Sequence, residues 1–427
     1  MELLILFGTL FLLLLMGVPV AFCLGLSSLA TMFYLDIPLT VAFQRMAAGM
    51  NVFALMAIPF FIFAGELMNQ SGIAERLANF AHALLGRVRG GLGQVNVVSS
   101  MMFGAVSGSA VASASAIGPT LIPMMKKEGY DADYAVNVTV TSATTGLLIP
   151  PSHNMIIYAI AAGGGISIAS LFLAGVVPGI ILGTSLMTAA YLVAVKRGYP
   201  AGQFPGWAKI LRLFFSVLPG MFSTIIILGG ILSGIFTATE SSAIAVIYTA
   251  LIATLVYRGL SWNGFVLACV NAAKTTSLVL LIIGTAAAFG WLLAVTEVPL
   301  KLSTALLEIS DNPLVILLLI NLMLLLLGSF MDMSPLIIIT TPILLPVAVN
   351  IGMDPVQFGI MLILNLGMGV VTPPVGSVLF VGCAIGGIRI EDTIKTIWPF
   401  YLAFVVTLGL VTYLPATTLF LPTFFGS

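Results

Sequence analysis

The feature that most constrains this chain is the length and interruption of its apolar runs. Candidate membrane segments cover 3–34, 50–70, 93–125, 133–162, 166–195, 213–236, 241–257, 264–296, 313–351, 355–388 and 397–425. A spanning helix needs about 20 apolar residues. Several runs exceed one straight helix and carry Gly, Pro or Ser/Thr clusters near their middles. Irregular backbone at membrane depth survives only where protein buries it or where it lines a cavity. The broken runs are therefore the places to look for function. Composition agrees: 60% of the 427 residues are apolar and 7% are charged, against about 25% charged in a soluble domain. The fold class is an all-α polytopic membrane protein.

Other classes lose support. Lys+Arg and Asp+Glu both number 15, so charge balance gives no nucleic-acid signal. Cys23, Cys269 and Cys383 lie far apart in apolar runs, with neither metal-ligand nor disulfide spacing. The first run lacks a basic leader region and is too long for a signal peptide, so it reads as retained structure. No metal cluster, phosphate loop or catalytic triad can be assembled, which argues against an intramembrane enzyme. A passive channel would need a continuous polar lining, whereas polarity here gathers at a few breaks.

An internal repeat organises the breaks. Shifting the chain by 223 residues aligns 119–164 with 342–387 without a gap. Pro119 falls on Pro342, Pro123 on Pro346, Gly129 on Gly352, Asp131 on Asp354, Gly146 on Gly369, and Pro150-Pro151 on Pro373-Pro374. Gly163-Gly164 falls on Gly386-Gly387. These residues dictate backbone, so the match suggests one chain path used twice. Charges set the orientation, because basic loops tend to be cytoplasmic. Segment 93–125 is flanked by Arg87, Arg89, Lys126 and Lys127, and segment 313–351 by Glu308, Asp311 and Asp354. Each reads as a re-entrant hairpin, entered from opposite sides. The expected organisation is a first repeat over 1–197, a cytoplasmic linker over 198–212 holding Lys209 and Arg212, and an inverted second repeat over 213–427. Each repeat carries one hairpin and one Pro-Pro-broken helix, 133–162 and 355–388.

The hairpin turns and the breaks offer the chemistry. The first turn reads Gly104-Ala-Val-Ser107-Gly108-Ser109, with Ser113 and Ser115 following. Small residues let backbones approach, and hydroxyls with freed carbonyls suit a hard cation or an anionic substrate. The same residues also serve plain helix packing. The second turn, Gly328-Ser329-Phe330-Met331-Asp332, holds a carboxylate that is costly at membrane depth. Asp332 balances a cation, caps a helix beginning at Ser334-Pro335, or does both. At the breaks, each Pro lacks a donor, so carbonyls one turn earlier lose a partner. Two symmetry-related cation sites are expected. One joins Ser107, Gly108 and Ser109 to Thr145, Gly146, Ile149 and Pro150. The other joins Gly328 and Asp332 to Gly369, Thr372 and Pro373. A substrate between the tips would meet Ser107, Ser109, Ser113, Ser152 and Asp332. Glu66 and Glu240 read as interfacial or capping, Arg45 and Lys274 as interfacial, and His153 as a hydrogen-bonded structural residue.

At these residues the chain resembles the large membrane subunit of the tripartite ATP-independent periplasmic (TRAP) transporters. The resemblance covers nearly the whole chain. It is carried by Ile58-Pro59-Phe60-Phe61 with Ala64-Gly65-Glu66-Leu67-Met68, by Ser107-Gly108-Ser109-Ala110-Val111-Ala112, and by Leu121-Ile122-Pro123-Met124-Met125. Ile149-Pro150-Pro151-Ser152, Thr237-Ala238-Thr239-Glu240, Asn271-Ala272-Ala273-Lys274-Thr275-Thr276, Met331-Asp332 and Thr372-Pro373-Pro374-Val375-Gly376 complete it. The resemblance implies an elevator-type importer in the bacterial inner membrane, driven by a sodium gradient, with Na+ as the bound ion. It implies a separate small membrane subunit and a periplasmic binding protein that delivers an organic acid. His153-Asn154-Met155 departs from the Ile-Pro of many dicarboxylate members, which favours a sialic-acid-like substrate over a C4-dicarboxylate or another sugar acid. The alternative is another cation- or proton-coupled anion transporter that works without a binding protein.

Overall fold

The computed structural model describes residues 1–202, 205–310 and 312–425. Asp311, one of the charges flanking the second hairpin, lies outside them, as do parts of the linker and the last two residues of the second repeat. Among the described residues the chain is helical, with no β-strand. Seven helices among the described residues are long and apolar enough to cross a membrane. The pair Trp398–Tyr413 and Ala416–Phe425, bent by 55°, makes an eighth if counted as one span.

The longest helix, Trp262–Val295, has 34 residues, no internal Pro, and an N-cap in which Ser261 accepts from Gly264 N. At 1.5 Å per residue it is about 51 Å long. Thr40–Met50, Ala57–Gln70 and Val20–Tyr34 pack along it, and Ala57–Gln70 carries Ala238–Leu251 on another side. These helices form a frame. Apolar side chains gain little by leaving lipid, so close backbone approach does the packing. Gly49 is backed by Ala287 in this way, and Gly284 by Met50.

Helix pairs fill the two segments read as hairpins. The first is Gly91–Ser107 with Ala110–Lys127, and the second is Pro313–Phe330 with Met333–Asn350. Each is followed by a broken helix. The first runs Ala132–Ala143, a 3-10 turn Thr144–Leu147, then His153–Ala161; the second runs Pro355–Gly369, then Ser377–Gly386. Both Pro-Pro bonds, 150–151 and 373–374, are cis. Past each break the chain crosses to the other half. His153–Ala161 packs on Met333–Asn350, and Ser377–Gly386 packs on Ala110–Lys127 and Ala132–Ala143.

Elsewhere the structure redraws the expected segments. The run 3–34 splits at Gly17, whose φ of +77° breaks the helix, into Glu2–Leu15 and Val20–Tyr34 lying side by side. Within the segment read as the linker, 198–212, a helix begins at Trp207 and carries Lys209 and Arg212. Two helices, Ile73–Leu85 and Val298–Ile309, were not anticipated. At the end of Ile168–Arg197, Arg197 grips Asp133 with two nitrogens at 2.9 and 2.8 Å and reaches Asp131 at 2.8 Å. Tyr199 donates to the same Asp131 at 2.7 Å. Burial, helped by this bond, lifts the Tyr199 phenol to about 12. The cluster ties the loop after the first hairpin to the end of Ile168–Arg197.

Candidate functional site: two hairpin-break junctions

The first hairpin turns at Gly108, whose φ of +62° lies in the left-handed region that favours glycine. Ser109 then starts the return helix, its hydroxyl accepting from Ala112 N at 3.3 Å. The tip sits on the first break: a Cβ added to Gly108 would stand 2.5 Å from the Pro151 carbonyl oxygen and 3.2 Å from Ser152 Cα. One turn earlier Gly104 backs against Gly146, where an added Cβ would lie 2.6 Å from Gly104 Cα. Thr145 and Gly146 are buried in the 3-10 turn, and Leu148 N and Ile149 N both donate to Thr145 O at 3.1 Å. Pro150 follows, also buried. The buried hydroxyls of Ser107, Ser142 and Ser152 have no hydrogen-bond partner among the described residues. An unmet buried polar group costs about 1–3 kcal/mol, so these oxygens are poised to gain from a ligand. Ser113 is fully buried, with its hydroxyl 3.5 Å from Ser100 O between the arms of the hairpin rather than at its tip.

The second junction repeats the backbone contact with other chemistry. Gly328 backs against Gly369, where an added Cβ would lie 2.7 Å from Gly328 Cα. Val375 N donates to Ser329 O at 3.0 Å, a backbone bond from break to hairpin. Thr372 donates to Met368 O at 2.7 Å, and Tyr401 donates to Val371 O at 2.8 Å, so the break leading into Pro373 is held from two sides. Asp332 occupies the N-cap position, but the helix starts at Met333 rather than Ser334, and the carboxylate makes no capping bond. It is exposed and accepts from the Ser377 hydroxyl at 3.3 Å. The capping reading of Asp332 is thereby overturned: the carboxylate turns toward the break.

Several residues that bind hairpin to broken helix carry no motif. Asn96 donates to Thr139 Oγ1 at 2.7 Å, and Asn365 donates to Asn321 Oδ1 at 2.8 Å. An amide in an apolar run is costly unless paired, and that signal alone could have found them. Ser142 and Asn365 are also related by the 223-residue shift, and both keep an unpartnered buried oxygen among the described residues. Glu66 caps no helix start: it lies within Ala57–Gln70, half-buried, accepting from Asn271 at 3.5 Å. Glu240 completes a capping box with Thr237, as its position suggested. Arg45 stacks over Trp291 at 5.0 Å. A surface depression of about 710 Å³ beside Phe380, Arg389 and Asp392 is lined by no residue of either tip.

With this geometry in place, likeness to known proteins is informative. The profile of the "Tripartite ATP-independent periplasmic transporter, DctM component" matches residues 7–417. The Salmonella typhimurium protein YgiK is 44% identical over 428 aligned residues, covering 100% of this chain and 98% of its own. The sialic acid TRAP transporter large permease protein SiaM of Vibrio cholerae is 39% identical, covering 96% of each. Among solved structures, the Alcanivorax borkumensis YdaH transporter superposes with a TM-score of 0.59 at 13% identity, over 90% of this chain and 88% of that one. That last likeness is one of fold alone.

Proposed function

Because the chain belongs to the DctM component family of the tripartite ATP-independent periplasmic transporters, we propose that it imports an organic acid across the bacterial inner membrane with sodium as the driving ion. A small membrane subunit completes the membrane part, and a periplasmic binding protein delivers the substrate. The observation that carries the reading is the doubled junction: a hairpin tip closed on a Pro-Pro break, once with unpartnered hydroxyls and once with an exposed carboxylate.

Sodium favours oxygen ligands and does not demand strict geometry, so carbonyls and hydroxyls at a helix break suit it. In this reading one ion lies between Ser107, Gly108 and Ser109 on the tip and Thr145, Gly146, Ile149 and Pro150 on the break. The other lies between Gly328 and Asp332 on the tip and Gly369, Thr372 and Pro373 on the break. Substrate binds between the tips, near Ser107, Ser109, Ser113, Ser152 and Asp332. An anion beside Asp332 is repelled until a cation neutralises the carboxylate, which makes substrate binding depend on sodium. Ion and substrate then strengthen each other reciprocally. The two inverted hairpin-and-break units move together, elevator fashion, against the frame along Trp262–Val295. The likeness to SiaM supports sialic acid or a similar sugar acid as a substrate.

The test is uptake into proteoliposomes holding this chain and its small subunit, with labelled sialic acid and the periplasmic protein outside. Uptake is expected only with an inward sodium gradient and only with the periplasmic protein present. Uptake that persists after the gradient is collapsed overturns sodium coupling, and uptake without the periplasmic protein overturns the tripartite reading.

A further inference from the structure

The two junctions belong to different halves of the chain, yet one short path of contacts joins them. The path starts at the first tip, where Gly108 rests on Pro151 and Ser152. The next residue, His153, begins the short helix His153–Ala161. Asn154 follows on the first turn of His153–Ala161, 2% exposed. Its side-chain oxygen lies 3.4 Å from the hydroxyl of Ser334, in the first turn of the return helix of the second hairpin. Two residues before Ser334 stands Asp332. Farther along the same short helix, Tyr158 donates to Pro355 O at 2.6 Å, so the helix is anchored in the second half at both ends.

Symmetry sharpens the observation. The 223-residue shift carries Asn154 onto Ser377. Ser377 bonds Asp332 of its own hairpin, whereas Asn154 bonds Ser334 of the opposite one. The second tip is therefore held from both sides by equivalent positions of the two repeats. No such cross-repeat side-chain bond reaches the first tip from Ser377–Gly386 among the described residues.

Resting on the sodium-coupled reading above, we infer that Asn154 is a positioning residue that couples the two junctions, through its bond to Ser334. A shift of the first tip on its break moves Ser152, His153 and Asn154 together. Asn154 then either meets Ser334, fixing Asp332 against Ser377, or withdraws and leaves a buried amide unpaired, which is unfavourable. An ion that closes the first junction thus favours closure of the second, and the effect runs equally in reverse.

The test uses the complete transporter in liposomes. Asn154→Ala is expected to raise the sodium concentration for half-maximal uptake about fivefold, the equivalent of one neutral hydrogen bond, and to bring the sodium Hill coefficient toward one. Ser334→Ala should do the same, and the double variant should be no worse than either single one. Asn154→Gln, which keeps the amide, should restore part of the cooperativity. Hydrogen exchange supplies a readout independent of transport. Sodium should protect the amides of 108–113 and 333–337 together in the native chain, and 108–113 alone in Asn154→Ala. If Asn154→Ala fails to fold, Ser334→Ala carries the test, because it removes one hydroxyl from a helix start. Unchanged cooperativity in the single variants, or losses that add in the double variant, overturns the coupling role and leaves the sodium-driven reading intact. A native chain whose uptake and exchange both ignore sodium overturns the two together.

Discussion

The two junctions share a backbone and differ in almost every polar atom. Ahead of the first break, Ala132–Ala143 and its 3-10 turn bury Asn137, Thr139, Thr141, Ser142, Thr144 and Thr145. Four of those threonines bond backward to carbonyls: Thr139 to Ala135, Thr141 to Asn137, Thr144 to Thr141 and Thr145 to Ser142. Such bonds compete with the helical ladder and loosen it. The matching helix Pro355–Gly369 has only Gln357 and Asn365 for polar side chains. Its break is fixed instead by Tyr401 and by the backbone bond from Val375 to Ser329. The first junction is neutral and rich in oxygen, and the second is apolar with one carboxylate. Fold symmetry is thus carried by Gly and Pro, while the ion chemistry of each copy is free to diverge.

The widest test of the comparison is whether the two copies are inverted at all. Single cysteines placed at 87–89 and at 308–310 should label from opposite faces of the membrane, an all-or-none result. Labelling of both from one face breaks the repeat relation and with it the paired sites.

Next in size is the glycine contact common to both junctions. Gly146→Ala and Gly369→Ala each push a methyl to within 2.7 Å of facing backbone, and backbone cannot rotate away. Overpacking of this kind costs about 1–3 kcal/mol, so closure and uptake should fall by about tenfold in either variant, with membrane insertion retained. Gly290→Ala, which meets nothing within 4 Å, is the control and should transport normally. A loss at one junction alone would show that the copies do not close alike.

How much of this was legible beforehand follows the same division. The segments 93–125 and 313–351 were read as hairpins, and helix pairs fill 91–127 and 313–350, because glycine and proline announce backbone directly. The Gly104–Gly146 and Gly328–Gly369 contacts follow from the same residues. Ile73–Leu85 and Val298–Ile309 were missed because Glu75 and Arg76, and Lys301 and Glu308, dilute an apolar signal that only one face carries. Asp332 was read as a cap, a counter-charge or both; the decisive partner, Ser377, lies 45 residues away. Asn154 and Ser334 are 180 residues apart, and no local pattern reports a pairing at that distance.

The charge difference gives the third prediction. Asp332→Asn keeps the shape of the second tip and removes its only formal charge. Hydrogen bonds and ion contacts to charged groups are worth about 1.5–3 kcal/mol, so the half-maximal sodium concentration should rise about tenfold. No substitution at the first junction removes a charge, because that junction has none. If uptake by Asp332→Asn keeps the native sodium response, the carboxylate plays no part in ion binding, and the contrast between a neutral and a charged site collapses.

The smallest effects discriminate best, because single hydroxyls separate ligand from scaffold. Ser109 caps a helix and Thr372 bonds Met368 O. Removing either hydroxyl, as in Ser109→Ala or Thr372→Val, should raise the sodium requirement about fivefold and also lower the melting temperature without sodium. Ser107 differs from both. Its hydroxyl is buried with no partner among the described residues, so Ser107→Ala removes an unmet oxygen and sacrifices no bond in the sodium-free protein. The melting temperature of Ser107→Ala without sodium should therefore match or slightly exceed that of the native chain. Added sodium stabilises whatever binds it, by an amount that grows with affinity. The gain on adding sodium should be smaller in Ser107→Ala than in the native chain, and the two melting curves should converge or cross as sodium rises. A Ser107→Ala protein that loses stability without sodium has lost a structural contact, and one that gains as much from sodium as the native chain has lost no ligand. Either result would leave the first junction as a packing contact and confine ion binding to the Asp332 side.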